Sequence, residues 1–207
     1  MKFRQTALAV AAVLGTLSFG ERALADPAQE VELYGGAAFG DRIVDRPVTG
    51  RALTLGDDAT FGIRYTFWTD SRLGLQLAGG ATPTTIKYTQ GANTDADVYT
   101  IDANLLVDLA PGLAIGGHRV QPYAVIGAGY AWANADQPIV GTVGSATKTL
   151  DDSGGFSANA GLGAKVYFTD AIYAGLDARY RYIDKLVKTD GRQLNNVETT
   201  LSVGYRF

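Results

Sequence analysis

Residues 172–182 read IYAGLDARYRY. Ile172, Ala174, Leu176, Ala178, Tyr180 and Tyr182 take every second position, and Asp177, Arg179 and Arg181 fall between them. This is the period of a β-strand, whose successive side chains point to opposite faces. One face is apolar and aromatic while the other holds full charges, so the two faces meet very different surroundings.

The alternation recurs on both sides of this stretch. Toward the C-terminus, Val197, Thr199, Leu201, Val203, Tyr205 and Phe207 alternate with Glu198, Thr200, Ser202, Gly204 and Arg206. Toward the N-terminus, Phe156 to Phe168 sets Ala158, Ala160, Leu162, Ala164 and Val166 against Ser157, Asn159, Gly161, Gly163 and Lys165. Further runs follow the same rule. They are Glu30 to Phe39 (Val31, Leu33 and Phe39 on one face), Phe61 to Trp68, Leu73 to Ala78, and Tyr99 to Val107. Residues 121–132 (QPYAVIGAGYAW) form an eighth run, less clean because both faces are apolar or small. Each run approaches the 9–11 residues with which a tilted strand crosses a bilayer.

Connections of unequal length join the runs. Residues 40–58, 83–97, 134–154 and 184–195 are long and polar, whereas Thr69–Arg72 and Thr169–Ala171 are tight and Leu109–Arg119 is intermediate. Long connections at one end and short turns at the other describe an up-and-down transmembrane barrel. The expected fold is therefore all-β, an eight-stranded antiparallel barrel; ten strands would require splitting a loop. An even count places both termini on one side, the periplasmic side for an exported chain.

The first residues supply an export address. Lys2 and Arg4 precede the apolar core Ala7 to Leu17, and Ala23-Leu24-Ala25 gives a small-x-small cleavage pattern before Asp26. Residues 1–25 are expected to be a cleaved signal peptide and 26–207 the outer-membrane barrel. Loss of Lys2, Arg4, Arg22 and Glu21 leaves 15 basic against 20 acidic residues. That balance has nothing of the basic stripe of a nucleic-acid binder. Mean hydropathy is only +0.02, as expected when lipid-facing and interior residues alternate. Cysteine is absent, which removes disulfides, thiolate metal sites and thiol nucleophiles.

Aromatic residues concentrate on the apolar face near strand ends, Phe39, Phe61, Phe67, Tyr99, Tyr130, Phe156, Phe168, Tyr180, Tyr182, Tyr205 and Phe207 among them. Their placement fits two girdles at membrane interfaces and assigns that face to lipid. The other face then lines the interior with Glu30, Glu32, Asp102, Asp177 and Glu198 against Arg64, Lys165, Arg179, Arg181 and Arg206. The interior of an eight-stranded barrel is just wide enough for side chains to fill it. Balanced charges confined there are expected to pair into a polar plug, since an isolated buried ion is very costly. Interior glycines, such as Gly62, Gly127, Gly163 and Gly204, leave room for long Arg and Tyr side chains.

At its last strand the chain resembles a known family. Leu201, Val203, Tyr205 and Phe207 look like the C-terminal signal that outer-membrane barrels present to the barrel assembly machinery. Pro122-Tyr123 with Gly127-Ala128-Gly129-Tyr130 resembles a strand of small OmpA-like and OmpW-like barrels, and Leu176 to Tyr182 resembles their penultimate strand. The resemblance covers Asp26 to Phe207 and implies architecture and an outer-membrane address. It does not imply an activity, because the fold hosts adhesins, channels, enzymes and structural proteins.

Small-barrel enzymes of this resemblance need a catalytic histidine. The one histidine here, His118, falls in the intermediate connection on the periplasmic side, so no catalytic residue is assigned and no enzyme is expected. Asn93, Asp95 and Asp97 have the first spacings of a calcium loop, but Val98 and Asn104 stand where glycine and glutamate are needed. Asp151-Asp152 reads as solvated loop, and Gly127-x-Gly129 precedes no helix, so no metal or cofactor is assigned. Expected partners are outer-membrane lipid and lipopolysaccharide, whose phosphates Arg42, Arg46, Arg51, Lys185, Lys188 and Arg192 would meet, and a surface ligand at loops 40–58 and 134–154. The expected function is a non-enzymatic barrel for envelope integrity or surface interaction. The alternative is a narrow porin-like or OmpW-like conduit for small or apolar solutes.

Overall fold

The computed structural model describes residues 28–40, 53–55, 58–69, 72–88, 94–135, 139–143, 146–150, 153–184 and 193–207. Eight long strands form the wall: β1 (Gln29–Gly40), β2 (Asp58–Trp68), β3 (Leu73–Tyr88), β4 (Thr94–Asp108), β5 (His118–Ala135), β6 (Ser153–Tyr167), β7 (Ile172–Asp184) and β8 (Gln193–Arg206). Each pairs antiparallel with its sequence neighbours, and β8 pairs back onto β1 from Arg206↔Glu30 to Asn196↔Gly40, which closes the ring. Closure gives every strand of the wall a hydrogen-bonded neighbour on both sides, as a sheet that crosses lipid requires. Gln29 and Phe207 exchange backbone hydrogen bonds of 3.0 and 2.9 Å, so the seam is bonded to its last residue.

Burial is inverted relative to a soluble domain. Leu201 is 68 % exposed and Leu33 64 %, whereas Lys165 and Glu30 are fully buried. Outward apolar and inward ionic faces on one strand suit a protein whose solvent is lipid. No helix among the described residues is long and apolar enough to cross a membrane; the strands make the crossing.

Inward bulk is matched by glycine on the next strand. Tyr34 faces Gly62, Trp68 faces Gly74, Tyr123 faces Gly163 and Tyr173 faces Gly204 across their ladders. A Cβ on Gly62, Gly163 or Gly204 would strike the facing tyrosine ring. At the end that carries the termini, Ala28, Trp68, Leu106, Tyr123 and Val125 make a small apolar cluster inside the wall.

The connections differ from the sequence reading in four places. Residues 83–97, expected as a loop, are largely strand, since β3 and β4 stay paired from Pro83↔Asp97 to Ile86↔Thr94. Leu53–Leu55, inside expected loop 40–58, pairs with β3 from Leu53↔Tyr88 to Leu55↔Ile86. Ile139–Val143 and Ala146–Leu150, inside expected loop 134–154, form a separate hairpin. All three segments are rich in the Thr, Val, Ile or Leu that favour strands, but they lack the apolar alternation by which the other strands are read. Finally, β5 starts at His118 rather than at residue 121. Ile115↔His118 pair across Gly116 (φ 60°) and Gly117 (φ 82°), a two-residue turn that requires positive φ at both positions.

The expected signal peptide, Asp151-Asp152 and the loop cations Arg42, Arg46, Arg51, Lys185, Lys188 and Arg192 lie outside the described residues.

Candidate functional site

The interior side chains make three ionic layers. Nearest the termini, Lys165 Nζ lies 2.5 Å from Glu30 Oε2 and 3.6 Å from Glu32 Oε2. The ammonium also approaches the rings of Tyr173, Tyr123 and Trp68, at 4.8, 5.6 and 5.7 Å from their centroids. Tyr167 places its hydroxyl 2.6 Å from Glu30 Oε1 and 2.7 Å from Gln121 Oε1, and Gln121 donates to Asp108 at 2.9 Å. Arg119 covers the ring of Tyr167 at 3.6 Å. Arg206 is the loosest member, 3.9 Å from Glu30 with its side chain 27 % exposed.

The middle layer turns on Arg64. Its Nη1 is 2.6 Å from both Glu32 Oε1 and Asp177 Oδ2, its Nη2 donates to Thr200 Oγ1 at 3.0 Å, and its guanidinium lies 4.0 Å from the Tyr34 ring centroid. Glu32 therefore joins this layer to the lysine below. Asp177 also accepts from Tyr123 at 3.0 Å, Thr200 at 3.1 Å and Arg179 Nε at 3.2 Å. Toward the loop end, Arg181 holds Asp102 at 2.8 Å and Glu198 at 2.7 Å, and Ser157 donates to Asp102 at 2.9 Å. Pairing of this kind is what allows ions to persist in a narrow interior, because each carboxylate finds a cation and further donors.

Between the arginine layers runs a relay of amides. Arg179 Nη2 donates to Gln76 Oε1 at 3.3 Å, which also accepts from Asn104 Nδ2 at 3.1 Å, while Asn104 Oδ1 accepts from Asn159 Nδ2 at 3.0 Å. The arginine fixes the sense of the relay: an oxygen must face it, so each following amide turns its nitrogen back. Asn159 Oδ1 is left at the far end, buried and, among the described residues, without a partner.

The structure thus brings Glu32, Arg64, Asp102, Lys165, Asp177, Arg179, Arg181 and Glu198 into the interior, with Arg206 at its rim. Sequence reasoning missed Tyr34, Tyr167, Tyr173, Asp108 and Arg119. The signal for the first three was parity alone, as Tyr173 lies between outward Ile172 and Ala174. Leu201, Val203 and Tyr205 on β8 and Phe207 just beyond it are all exposed on the outer face, and the Tyr205 and Phe207 rings stack at 6.1 Å. His118 is exposed at the end that carries the termini, with its ring edge-on to Phe168 at 6.0 Å.

Arg179→Ala tests how much of the network hangs on one outer member. Asp177 keeps Arg64, Tyr123 and Thr200, so the expected loss is about 1–2 kcal/mol. It would be read as a modest drop in the temperature at which the compact gel form disappears, with insertion intact. An unchanged temperature would mean that Arg179 carries no weight in the network.

The family model described as "Outer membrane protein beta-barrel domain" matches residues 9–207. No curated protein matches the chain. Among solved structures, the chain is similar to Ail, the attachment invasion locus protein of Yersinia pestis, in complex with sucrose octasulfate. That match has 15 % identity and a TM-score of 0.52, and covers 88 % of this chain and 99 % of Ail. OprG from Pseudomonas aeruginosa is similar at 15 % identity and TM-score 0.54, covering 87 % of this chain and 97 % of OprG. Neisserial surface protein A is similar at 18 % identity and TM-score 0.52, covering 87 % of this chain and 98 % of that protein. At these identities the likeness concerns the fold.

Proposed function

The chain belongs to the outer membrane protein β-barrel domain family, and from that membership we propose that it is a closed, non-enzymatic barrel serving envelope integrity or surface interaction. Residues 1–25 are removed on export, both termini face the periplasm, and the loop end faces outward with loops 40–58 and 134–154 as the contact surface. Lipopolysaccharide and lipid surround the wall, and the assembly machinery reads Leu201, Val203, Tyr205 and Phe207.

The observation that carries this reading is the filled interior. Lys165, Arg64 and Arg181 each tie two carboxylates at successive depths. An ion entering such a lumen would have to displace a paired group and lose its own hydration. Liposomes carrying the refolded mature protein are therefore expected to pass ions no faster than empty ones. Flux through the unsubstituted barrel that changes when Arg64 or Glu198 is replaced would sink the closed-barrel reading.

One feature favours a second reading, a conduit for small or apolar solutes. Backbone pairing of β2 with β3 ends at Phe61↔Ala81, and among the described residues β3 regains a partner on that side only at Leu55↔Ile86. Among the described residues, side chains bridge the gap, Thr82 to Thr60 at 3.0 Å and Thr84 to Asp58. Pro83 lies in this stretch and has no N–H to offer a neighbour. Such a break gives an apolar solute a sideways exit above the ionic layers. Uptake of an apolar solute without ion flux would favour the conduit.

A further inference from the structure

On the outer surface near the loop end, β4 and β5 carry a ladder of outward pairs: Ile101↔Tyr130, then Tyr99↔Trp132, then Asp97↔Asn134. The rings form one row. Tyr99 and Trp132 lie 5.7 Å apart at 23°, and Trp132 and Tyr130 lie 6.4 Å apart at 27°. Gly154 makes the row possible, since it pairs with Trp132 and a Cβ there would run into the Tyr130 ring. Phe156, opposite Tyr130 and 54 % exposed, extends the surface sideways.

Directly above the rings stand a carboxylate and an amide. Asp97 accepts only a long 3.4 Å hydrogen bond from Tyr99, and among the described residues no cation pairs with it. Asn134 is exposed beside it. Aromatic rings are expected at any membrane interface. A near-parallel row crowned by an acceptor carboxylate and an amide is a more particular arrangement. Pyranose rings present C–H faces that pack on aromatic surfaces, while their hydroxyls and N-acyl amides need acceptors and donors at the ring edge.

We propose that Tyr99, Trp132 and Tyr130 with Asp97 and Asn134 form a binding site for the amino-sugar rings of lipopolysaccharide, the glycolipid of the outer leaflet. The inference rests on the surface-interaction reading above, which turns the loop end toward that leaflet. The rings pack on the apolar faces of the sugar. Asn134 donates to a hydroxyl or acyl oxygen, and Asp97 accepts from a hydroxyl or amide N–H. The charge of Asp97 repels phosphate, so the site recognises the sugar and leaves the phosphates to cations elsewhere.

The test is a titration of the full mature barrel in phospholipid nanodiscs with N,N′-diacetylchitobiose, followed by NMR. The chain has two tryptophans, and Trp68 is buried inside the wall, so its indole signal serves as an internal control. The Trp132 indole signal is expected to shift with a millimolar Kd, about 4 kcal/mol of binding, while that of Trp68 stays still. Tyr99→Ala, which leaves the Trp132 signal in place, should abolish the response. Asn134→Ala and Asp97→Ala should each weaken it about tenfold, and a phosphorylated amino sugar should bind less well than the neutral one. Tyr180→Ala, on another outward strand, should leave the affinity unchanged, and each variant's heat-modifiable gel form reports its folding.

No shift of Trp132 at tens of millimolar saccharide would overturn the site. An equal loss in Tyr180→Ala would also overturn it, because any aromatic surface would then serve. Labelling of loop residues in whole cells separates this failure from that of the function. Loops found facing the periplasm would remove the surface-interaction reading, and with it lipopolysaccharide as the occupant, even if the saccharide still bound.

Discussion

Arg64→Ala is expected to lower the stability of the barrel by about 3–5 kcal/mol, the cost of stranding buried charge. The side chains of Arg64, Glu32 and Asp177 are all nearly fully buried, and its Nη1 lies 2.6 Å from each carboxylate. Removal takes the close cation from two acids at once. Glu32 keeps Tyr173 at 3.2 Å and Lys165 at 3.6 Å. Asp177 keeps Arg179, whose contacts of 3.2 and 3.3 Å are longer than the one lost. The contact with Tyr34 disappears as well. The measurement is the temperature at which the compact gel form is lost, compared with Arg179→Ala, which should fall much less. Adding Glu32→Gln and Asp177→Asn to Arg64→Ala removes the stranded charges and should recover more than half of the loss. A single variant as heat-resistant as the parent would show that water reaches these carboxylates and that the layer is not dry. The same variant links stability to function, since its thinned middle layer is where ion flux should first appear.

That Arg64 is the centre of the network was not legible in the sequence, although its place in the interior was. Parity assigns a residue to a face, and β7 shows this plainly because its inner positions Asp177, Arg179 and Arg181 are charged. Parity says nothing about what lies across the lumen. Arg64 meets Asp177 from a position 113 residues away, a pairing set by strand tilt and closure rather than by any local pattern. The sequence therefore ranks Arg64 no higher than Arg179, which stands beside Asp177 on one strand yet bonds it less closely. Tyrosine misleads in a related way. Tyr65, Tyr130 and Tyr205 point outward while Tyr34, Tyr123, Tyr167 and Tyr173 point inward, and residue type alone suggests a girdle for all of them.

The wall was legible wherever one face meets lipid, because lipid demands a strict period of two. β5 read less clearly since its inner face holds Val125, Gly127, Gly129 and Ala131, and small apolar residues do not contrast with Ala124, Ile126 and Ala128 opposite. Above the membrane the contrast fails altogether. Thr82 to Tyr88 (TPTTIKY) continue β3 without alternating apolar and polar residues, so a pattern search takes a paired strand for a loop. The polar crown over the aromatic row, Asp97 and Asn134, lies in just such stretches and could be seen as a pair only once the β4–β5 register was known.

Gly35 and Gly36 give the sharpest contrast in the molecule, because two adjacent glycines on one strand should respond oppositely to the same methyl group. A Cβ on Gly36 would point inward onto the carbonyl oxygen and carbon of Thr199 and the Cα of Thr200. All three are backbone atoms of β8, so no rotamer change relieves the clash. A Cβ on Gly35 would point to lipid and meet only the Thr60 carbonyl oxygen, at 3.9 Å. Either alanine narrows the unfolded ensemble, and either suits a strand better than glycine, effects of about 0.4–1 kcal/mol that favour both variants alike. The difference between them therefore isolates the contact with β8. Overpacking typically costs about 1–3 kcal/mol where side chains yield, and a backbone that cannot yield should cost at least the upper end. The place matters as much as the size. β1 and β8 join the two ends of the chain, and Gly36 faces Thr200 near the middle of their ladder. Refolded Gly36→Ala should give several-fold less heat-modifiable barrel than Gly35→Ala, which should match the parent. Gly79→Ala, with nothing within 4 Å of its added carbon, is the second control. Equal yields for Gly36→Ala and Gly35→Ala would mean that the seam can shift to admit a methyl group. The close approach of the two strands would then be a preference of this chain and not a condition of closing the barrel.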